Sequence, residues 1–270
     1  MKEKVNEIKE KLSFLKWLDP FTYVDLVLRK YHPKKANPSL TDEAIDSIVY
    51  VFSALIFAFL LYSALGFLLN TSSPMVIVSS ASMVPEMHRG DVIVLYGEEN
   101  IKAEEVNYTG TISDKMYSEY GKTTPYPLSI TIDSLSGTKT ISFVESEGIE
   151  INSQKIPITK DGDIIVYFSR YSNKEIIHRT VAKINASDGV FFLTKGDANP
   201  VIDQECISGQ EILGYPSYLG CITTNAVSEK EIRGKAVFKI PLVGCIKLWV
   251  FDDIPSLLSG KQNPDFTGFC

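Results

Sequence analysis

The sequence is poor in histidine, in paired cysteines and in net positive charge. Only three histidines occur among 270 residues, His32, His88 and His178. The four cysteines, Cys206, Cys221, Cys245 and Cys270, include no Cys-x-x-Cys pair. Zinc sites need such clustered ligands, so neither a metal nor any other cofactor is called for. Cys206 and Cys221 share one loop-like region and would pair in an oxidising compartment; two free thiols are the equal alternative. Lys and Arg number 27 against 33 Asp and Glu, a net charge of −6. Phosphate binding needs a local excess of base, so a nucleic-acid partner is not expected. There is no internal repeat and no low-complexity tract. The most telling absence is of charge itself, with no charged residue between Asp46 and Glu86.

That gap contains the stretch "IVYVFSALIFAFLLYSALGFLL", Ile48 to Leu69. As a helix it spans roughly 33 Å, enough to cross a hydrocarbon core of about 30 Å. It reads as a transmembrane helix over 47–70, too long and too deep in the chain for a cleaved leader. Arg29, Lys30, Lys34 and Lys35 precede it, and no Lys or Arg follows until Arg89. Basic residues stay on the cytoplasmic side. The expectation is a single-pass protein of the cell membrane with residues 1–46 cytoplasmic and the remainder extracytoplasmic. Within 1–46, Val5, Ile8, Leu12 and Leu15 line one helical face, suited to the inner membrane surface, a partner or plain solvent.

The part beyond the span, 71–258 with a tail at 259–270, reads as mainly β. "MVIVSS", "DVIVLYG", "SITIDS", "TISFV", "DGDIIVYF", "EIIHRTVAKI", "VFFLTKGD" and "GKAVFKI" are short runs rich in Val, Ile and Phe. Gly, Asp, Asn, Ser or Pro close many of them. Residues 98–160 and 204–233 are less patterned and read as inserts. "AVFKIPLVGCIKLWVF" holds two lysines and a proline, so it suits the outer interface better than a second span. Asn70, Asn107 and Asn185 begin Asn-x-Ser/Thr sequons.

Immediately outside the span stands "SSASMVPEMHRGD", Ser79 to Asp91. A serine there is either part of a polar exit loop or a nucleophile. A hydroxyl needs a positioned base. An ordinary imidazole, with a pKa near 6.5, is mostly neutral at pH 7, whereas a lysine must fall about three units. His32 lies on the wrong side of the span. His88 sits beside a turn and reads as exposed. His178 lies within "EIIHRTVAKI", on one strand face with Ile176, Thr180 and Ala182; a packed groove histidine and a catalytic base remain alternatives there. Asp197 and Asp203, in "TKGDANPVIDQE", are the nearest carboxylates able to orient such a base. Asp197 equally reads as a turn former after Gly196.

Taken in order, "SASMVP", "RGDVIVL", "DGDIIVYF", "IIHRTV" and "FLTKGDANPVID" resemble the boxes of type I signal peptidases, most closely the archaeal and endoplasmic-reticulum branch. There a histidine replaces the lysine base of most bacterial enzymes. "IRGKAVFKIPLVGCIK" resembles the family's closing segment, with Gly234, Pro241 and Gly244. The resemblance implies a signal-peptidase-like β domain with an inserted subdomain behind one membrane helix. It implies Ser82 as nucleophile, His178 as base and Asp203 as the triad acid, with Asp197 a supporting acid. The Ser82 amide and the Ser80 hydroxyl would bind the oxyanion. Ala81 departs from the family, which commonly has glycine between the two serines.

The activity implied is a serine endopeptidase that removes signal peptides from preproteins, cutting after small residues through an acyl-enzyme. Its partners would be those signal peptides, the lipid bilayer and the secretion translocon. A peptidase of the same fold with a dedicated substrate, or an inactive membrane-anchored binding module, are the alternatives.

Overall fold

The computed structural model describes residues 20–31, 39–97, 99–134, 137–205, 222–260 and 270. The chain divides into two units, Met1–Leu68 and Leu69–Cys270. In the first, helix α1 (Pro20–Tyr31) opens on a proline, which costs nothing at a position whose N–H has no helical acceptor. Helix α2 (Leu40–Leu68) has 29 residues and is long and apolar enough to cross a membrane. It starts earlier than the charge-free stretch because Ser39 caps it. The Asp42 N–H donates to Ser39 Oγ at 3.3 Å, and the Ser39 N–H donates back to the Asp42 carboxylate at 3.0 Å. Asp42 and Glu43 in the first turn suit the positive end of the helix dipole. Val5, Ile8, Leu12, Leu15 and His32 lie outside the described residues.

The second unit is built from strands, as its alternating Val, Ile and Phe runs require. Strand β1 (Met75–Ile77) pairs with β2 (Val92–Tyr96). The short β3 (Glu104–Asn107) is followed by β4 (Gly121–Ser134), β5 (Gly137–Ile151) and β6 (Gln154–Pro157). Then come β7 (Ile164–Ser169), β8 (Lys174–Ala186), β9 (Gly189–Lys195), β10 (Val227–Ser228) and β11 (Ile232–Ile240). The main sheet runs β1-β2-β11-β7-β8-β9-β10. Strand β8 has 13 residues, long enough for β7 to flank its first half and β3 to run parallel to its second.

Strands β4, β5 and β6 form a separate antiparallel sheet. Within the expected insert 98–160, therefore, Glu104–Asn107 joins the main sheet and Gly121–Pro157 makes a layer of its own. Ile149, Ile151 and Ile156 of that layer are buried against Val106, Ile184 and Leu193 of the main sheet. Each such side chain contributes about 1.5–3 kcal/mol on burial. Part of the other expected insert, 206–221 with Cys206 and Cys221, lies outside the described residues; its end supplies β10 and the first residues of β11.

After β11 the chain turns and forms three short helical stretches, Cys245–Leu248, Trp249–Asp253 and Ile254–Leu258. A disulfide joins Cys245 to Cys270. Phe238, Ile246, Phe251, Leu257 and Leu258 in this region are largely exposed.

Candidate active site

Three neighbouring strands turn one polar side chain each onto the same face of the main sheet. On β7 and β8 the register sets Ile165 opposite His178 and Tyr167 opposite Ile176. On β8 and β9 it sets Thr180 opposite Thr194. Residues two apart share a face, so Tyr167, His178 and Thr194 converge. The loop after β9 folds back over them, anchored by the Asp203 N–H donating to the Thr194 carbonyl at 2.8 Å. Asp203 is thereby delivered to the cluster. Its Oδ2 lies 2.7 Å from His178 Nδ1 and accepts from Tyr167 Oη at 2.9 Å and Thr194 Oγ1 at 2.6 Å. Three donors on one oxygen hold a carboxylate that is only 2% exposed. The Tyr167 hydroxyl is held well above its ordinary pKa, by burial first and then by the adjacent Asp203 charge, so it remains a donor.

The other ring nitrogen, His178 Nε2, lies 3.0 Å from Ser82 Oγ. With Nδ1–H donated to Asp203, Nε2 carries the lone pair that can take a serine proton. Ser82 is placed by its neighbours. Met83 is wholly buried with Val78, Met87, Ile93, Leu95 and Val166, which pins the backbone beside it. The Ser82 carbonyl accepts from the Ala198 N–H at 2.8 Å. Ser80 Oγ lies 3.2 Å from Ser82 Oγ. Gly196 runs past both Ser82 and His178. A Cβ there would sit 2.8 Å from His178 Nε2 and 2.8 Å from the Ser82 carbonyl, closer than packed atoms allow.

The remaining candidates fall elsewhere. Asp197 faces Arg179, accepting from Nε at 2.9 Å and Nη2 at 2.8 Å. Arg179 is the strand neighbour of His178, so its side chain points to the opposite face of the sheet. Arg179 Nη1 also donates to the Lys160 and Gly162 carbonyls. His88 is exposed, and its N–H donates to Asp91 Oδ2 at 2.9 Å within the Arg-Gly-Asp turn. That turn is structural. Buried Arg89 binds the Ser79 carbonyl, the Asp253 carboxylate and the Cys270 carbonyl. Gly90 has φ +89°, and a Cβ there would overlap both sulfurs of the disulfide. Among the described residues no group of three or more His, Cys, Asp or Glu is arranged to hold a metal ion.

Tyr167, Thr194 and Gly196 were not singled out as working residues from sequence. The available signal was parity. Tyr167 is a hydroxyl inside an otherwise apolar buried strand, and Thr194 is another.

No family model matches the chain. Among curated proteins it is 24% identical over 213 residues to the signal peptidase complex catalytic subunit SEC11 of Colletotrichum graminicola, covering 79% of this chain and 83% of that one. It is 25% identical to the SEC11 subunit of Candida tropicalis, covering 75% and 89%. It is 26% identical to that of Scheffersomyces stipitis, over 58% of each chain. The resemblance to type I signal peptidases of the endoplasmic-reticulum branch is thus borne out over most of the chain.

Proposed function

We infer that this chain is a membrane-bound serine endopeptidase of the type I signal peptidase kind, one that removes signal peptides from preproteins. The observation that carries the reading is the continuous run Ser82 Oγ, His178 Nε2, His178 Nδ1, Asp203 Oδ2 at 3.0 and 2.7 Å. Similarity to catalytic subunits of the signal peptidase complex supports it. Those names also support an assembly with further subunits, and the reading itself expects it to work where preproteins leave a translocon.

In this reading Ser82 Oγ attacks the carbonyl carbon of the scissile bond while His178 Nε2 takes the hydroxyl proton. The carbonyl oxygen becomes an oxyanion, met by the Ser82 N–H and the Ser80 hydroxyl. Such donors commonly supply the largest single catalytic effect. Collapse expels the amine, which receives the proton from His178 and leaves Ser82 as an ester. A water, deprotonated by His178, then attacks the ester and releases the carboxylate, restoring Ser82. Asp203 holds the imidazole in the required tautomer throughout. The leaving segment is the mature protein; the acyl segment ends in a small residue.

Strand β1 lies at an edge of the main sheet and leads directly into Ser79–Ser82. An extended substrate adding beside that edge would bring its carbonyl to Ser82. Helix α2 provides the single span, with the N-terminus cytoplasmic as the basic residues before it require. The exposed apolar side chains of β11 and the helical stretches after it support a seat in the outer interface.

The test is cleavage of a preprotein by the full chain in detergent or lipid. Ser82→Ala and His178→Ala should abolish it, and His88→Ala should leave it intact. Full activity in Ser82→Ala, free of contaminating protease, would overturn the nucleophile. No cleavage of several signal peptides by the wild type would favour a dedicated substrate or an inactive module.

A further inference from the structure

A cavity of about 430 Å³ lies against the face of β8 and β9 that points away from His178. That volume falls within the roughly 300–1,000 Å³ typical of ligand sites. One wall belongs to the main sheet, with Arg179, Lys195, Gly196 and Asp197. The other comes from the β4-β5-β6 layer and the residues after it, with Glu145, Glu147 and Lys160 among its lining. Gly196 belongs to both places, since it lines the cavity and also runs against His178 Nε2 and the Ser82 carbonyl. The cavity therefore begins one backbone thickness from the reacting atoms.

Its charges are not equivalent. Arg179 and Asp197 satisfy each other through two hydrogen bonds. Glu145 is half-buried, and Glu147 and Lys160 are exposed, so water serves them. Lys195 is only 8% exposed. Among the described residues its ammonium has no hydrogen bond and no ion pair. Its stem is buried while its Nζ opens into the cavity, where only water serves it. Burial pushes the lysine below its usual pKa, opposed by the charge of Glu145, which lies near it but beyond contact. A carboxylate entering the cavity would replace that water with a charged acceptor.

We propose that this cavity is a subsite for an acidic side chain of the substrate polypeptide, with the Lys195 ammonium as its recognition group. This deepens the peptidase reading and rests on it. Lys195 is a specificity residue in this scheme and takes no part in bond breaking. A carboxylate meeting an ammonium that water already serves should gain roughly tenfold in affinity, equivalent to about 1.4 kcal/mol.

The experiment walks a single glutamate through each position on both sides of the scissile bond in an otherwise neutral peptide. The full chain in detergent cleaves the set, with KM and kcat measured separately. In parallel, fluorescence anisotropy measures binding of the same peptides to Ser82→Ala. At one position glutamate should lower KM and the dissociation constant about tenfold relative to glutamine, with kcat little changed. The glutamate-to-glutamine ratio should collapse to about one in Lys195→Met. It should rise in Glu145→Gln, which removes the carboxylate whose charge acts most on Lys195 and does not depend on Lys195→Met folding. A ratio near one at every position in the wild type would overturn the proposal. So would a ratio that survives in a folded Lys195→Met, or one that falls in Glu145→Gln. Inorganic phosphate or acetate abolishing the preference at concentrations matching the peptide would reassign the cavity to free anions. If the wild type cuts nothing yet Ser82→Ala still prefers the glutamate peptide, the peptidase reading fails and the subsite stands.

Discussion

Asp203→Asn separates the two carboxylates more cleanly than any deletion. In the native site one oxygen, Oδ2, faces three donors, His178 Nδ1, Tyr167 Oη and Thr194 Oγ1, and the other, Oδ1, is buried with no partner among the described residues. An asparagine has two ways to sit there. With its oxygen toward the three donors, its NH₂ is buried with no acceptor, a penalty of about 1–3 kcal/mol. The charge that stabilises the imidazolium is gone as well. With its NH₂ toward them, His178 must offer the Nδ1 lone pair, which puts the proton on Nε2. That imidazole cannot take the Ser82 proton. Either way kcat should fall by roughly 10³–10⁴, the scale found when a triad carboxylate becomes an amide. Asp197→Asn leaves Nδ1 untouched. It weakens the pair with Arg179, whose other donors stay on the Lys160 and Gly162 carbonyls. Its cost should appear as about 1–3 kcal/mol of stability, with kcat on a neutral peptide within a few-fold of wild type. The assay is single-turnover cleavage beside thermal unfolding for both variants. Equal kcat losses in the two, or Asp203→Asn retaining a tenth of the activity, would refute the assignment.

Ser80→Ala should lower kcat by about 10- to 10³-fold with KM nearly unchanged, as removal of one oxyanion donor does; an unchanged kcat would remove Ser80 from the mechanism. Gly196→Ala should cost more than a hundredfold in activity, since its methyl would lie 2.8 Å from His178 Nε2, a loss on the scale of roughly 3 kcal/mol in the barrier. A crystal structure of that variant with the Ser82–His178 contact intact would count against this. Alkaline stability has a defined sign. Burial raises the Tyr117 pKa to about 12 and also raises those of Tyr120 and Tyr167. Unfolded tyrosines ionise near 10, so above that pH the unfolded chain releases protons that the folded chain retains. The tyrosine contribution is therefore complete below pH 10 and is lost as pH rises through about 12 and beyond, which pH-dependent denaturant unfolding will read; a flat profile would refute it. Arg89→Met should destabilise by about 1–3 kcal/mol in thermal or denaturant unfolding, since it removes a buried guanidinium from the Ser79 carbonyl and the Asp253 carboxylate; an unchanged stability would refute this.

The legible parts of this chain are those written in local pattern. All eight apolar runs read as strands correspond to β1, β2, β4, β5, β7, β8, β9 and β11. Strands β3, β6 and β10 were missed because "EEVN" and "QKIP" carry one buried residue each and "VS" is two residues long. Their strand character comes from the partner they pair with, and a partner's register is not a local property. The start of helix α2 was likewise decided by a capping pair at Ser39 and Asp42, eight residues before the apolar run that signalled it.

The site shows the same division more sharply. Ser82 and His178 are 96 positions apart, and nothing in either segment names the other. What could be read locally was the parity of His178 on its strand, and parity also separates it from Arg179. That one-residue difference decides the fates of the two carboxylates. Asp203 meets the histidine face, while Asp197 meets Arg179 on the other face. Spacing alone leaves the pair ambiguous, because both acids follow β9 within eight residues. The choice is made by the Asp203 N–H on the Thr194 carbonyl and by two hydroxyls, Tyr167 and Thr194, waiting on the histidine side. An Asp197 turned toward His178 would have to abandon a doubly bonded guanidinium and pass the Gly196 backbone. The sheet therefore assigns the acids by face, and the same rule directs Lys195, opposite Arg179 in register, away from Ser82 and into the neighbouring cavity. A lysine in that position has no route to the Ser82 hydroxyl, whereas His178 Nε2 lies 3.0 Å from it.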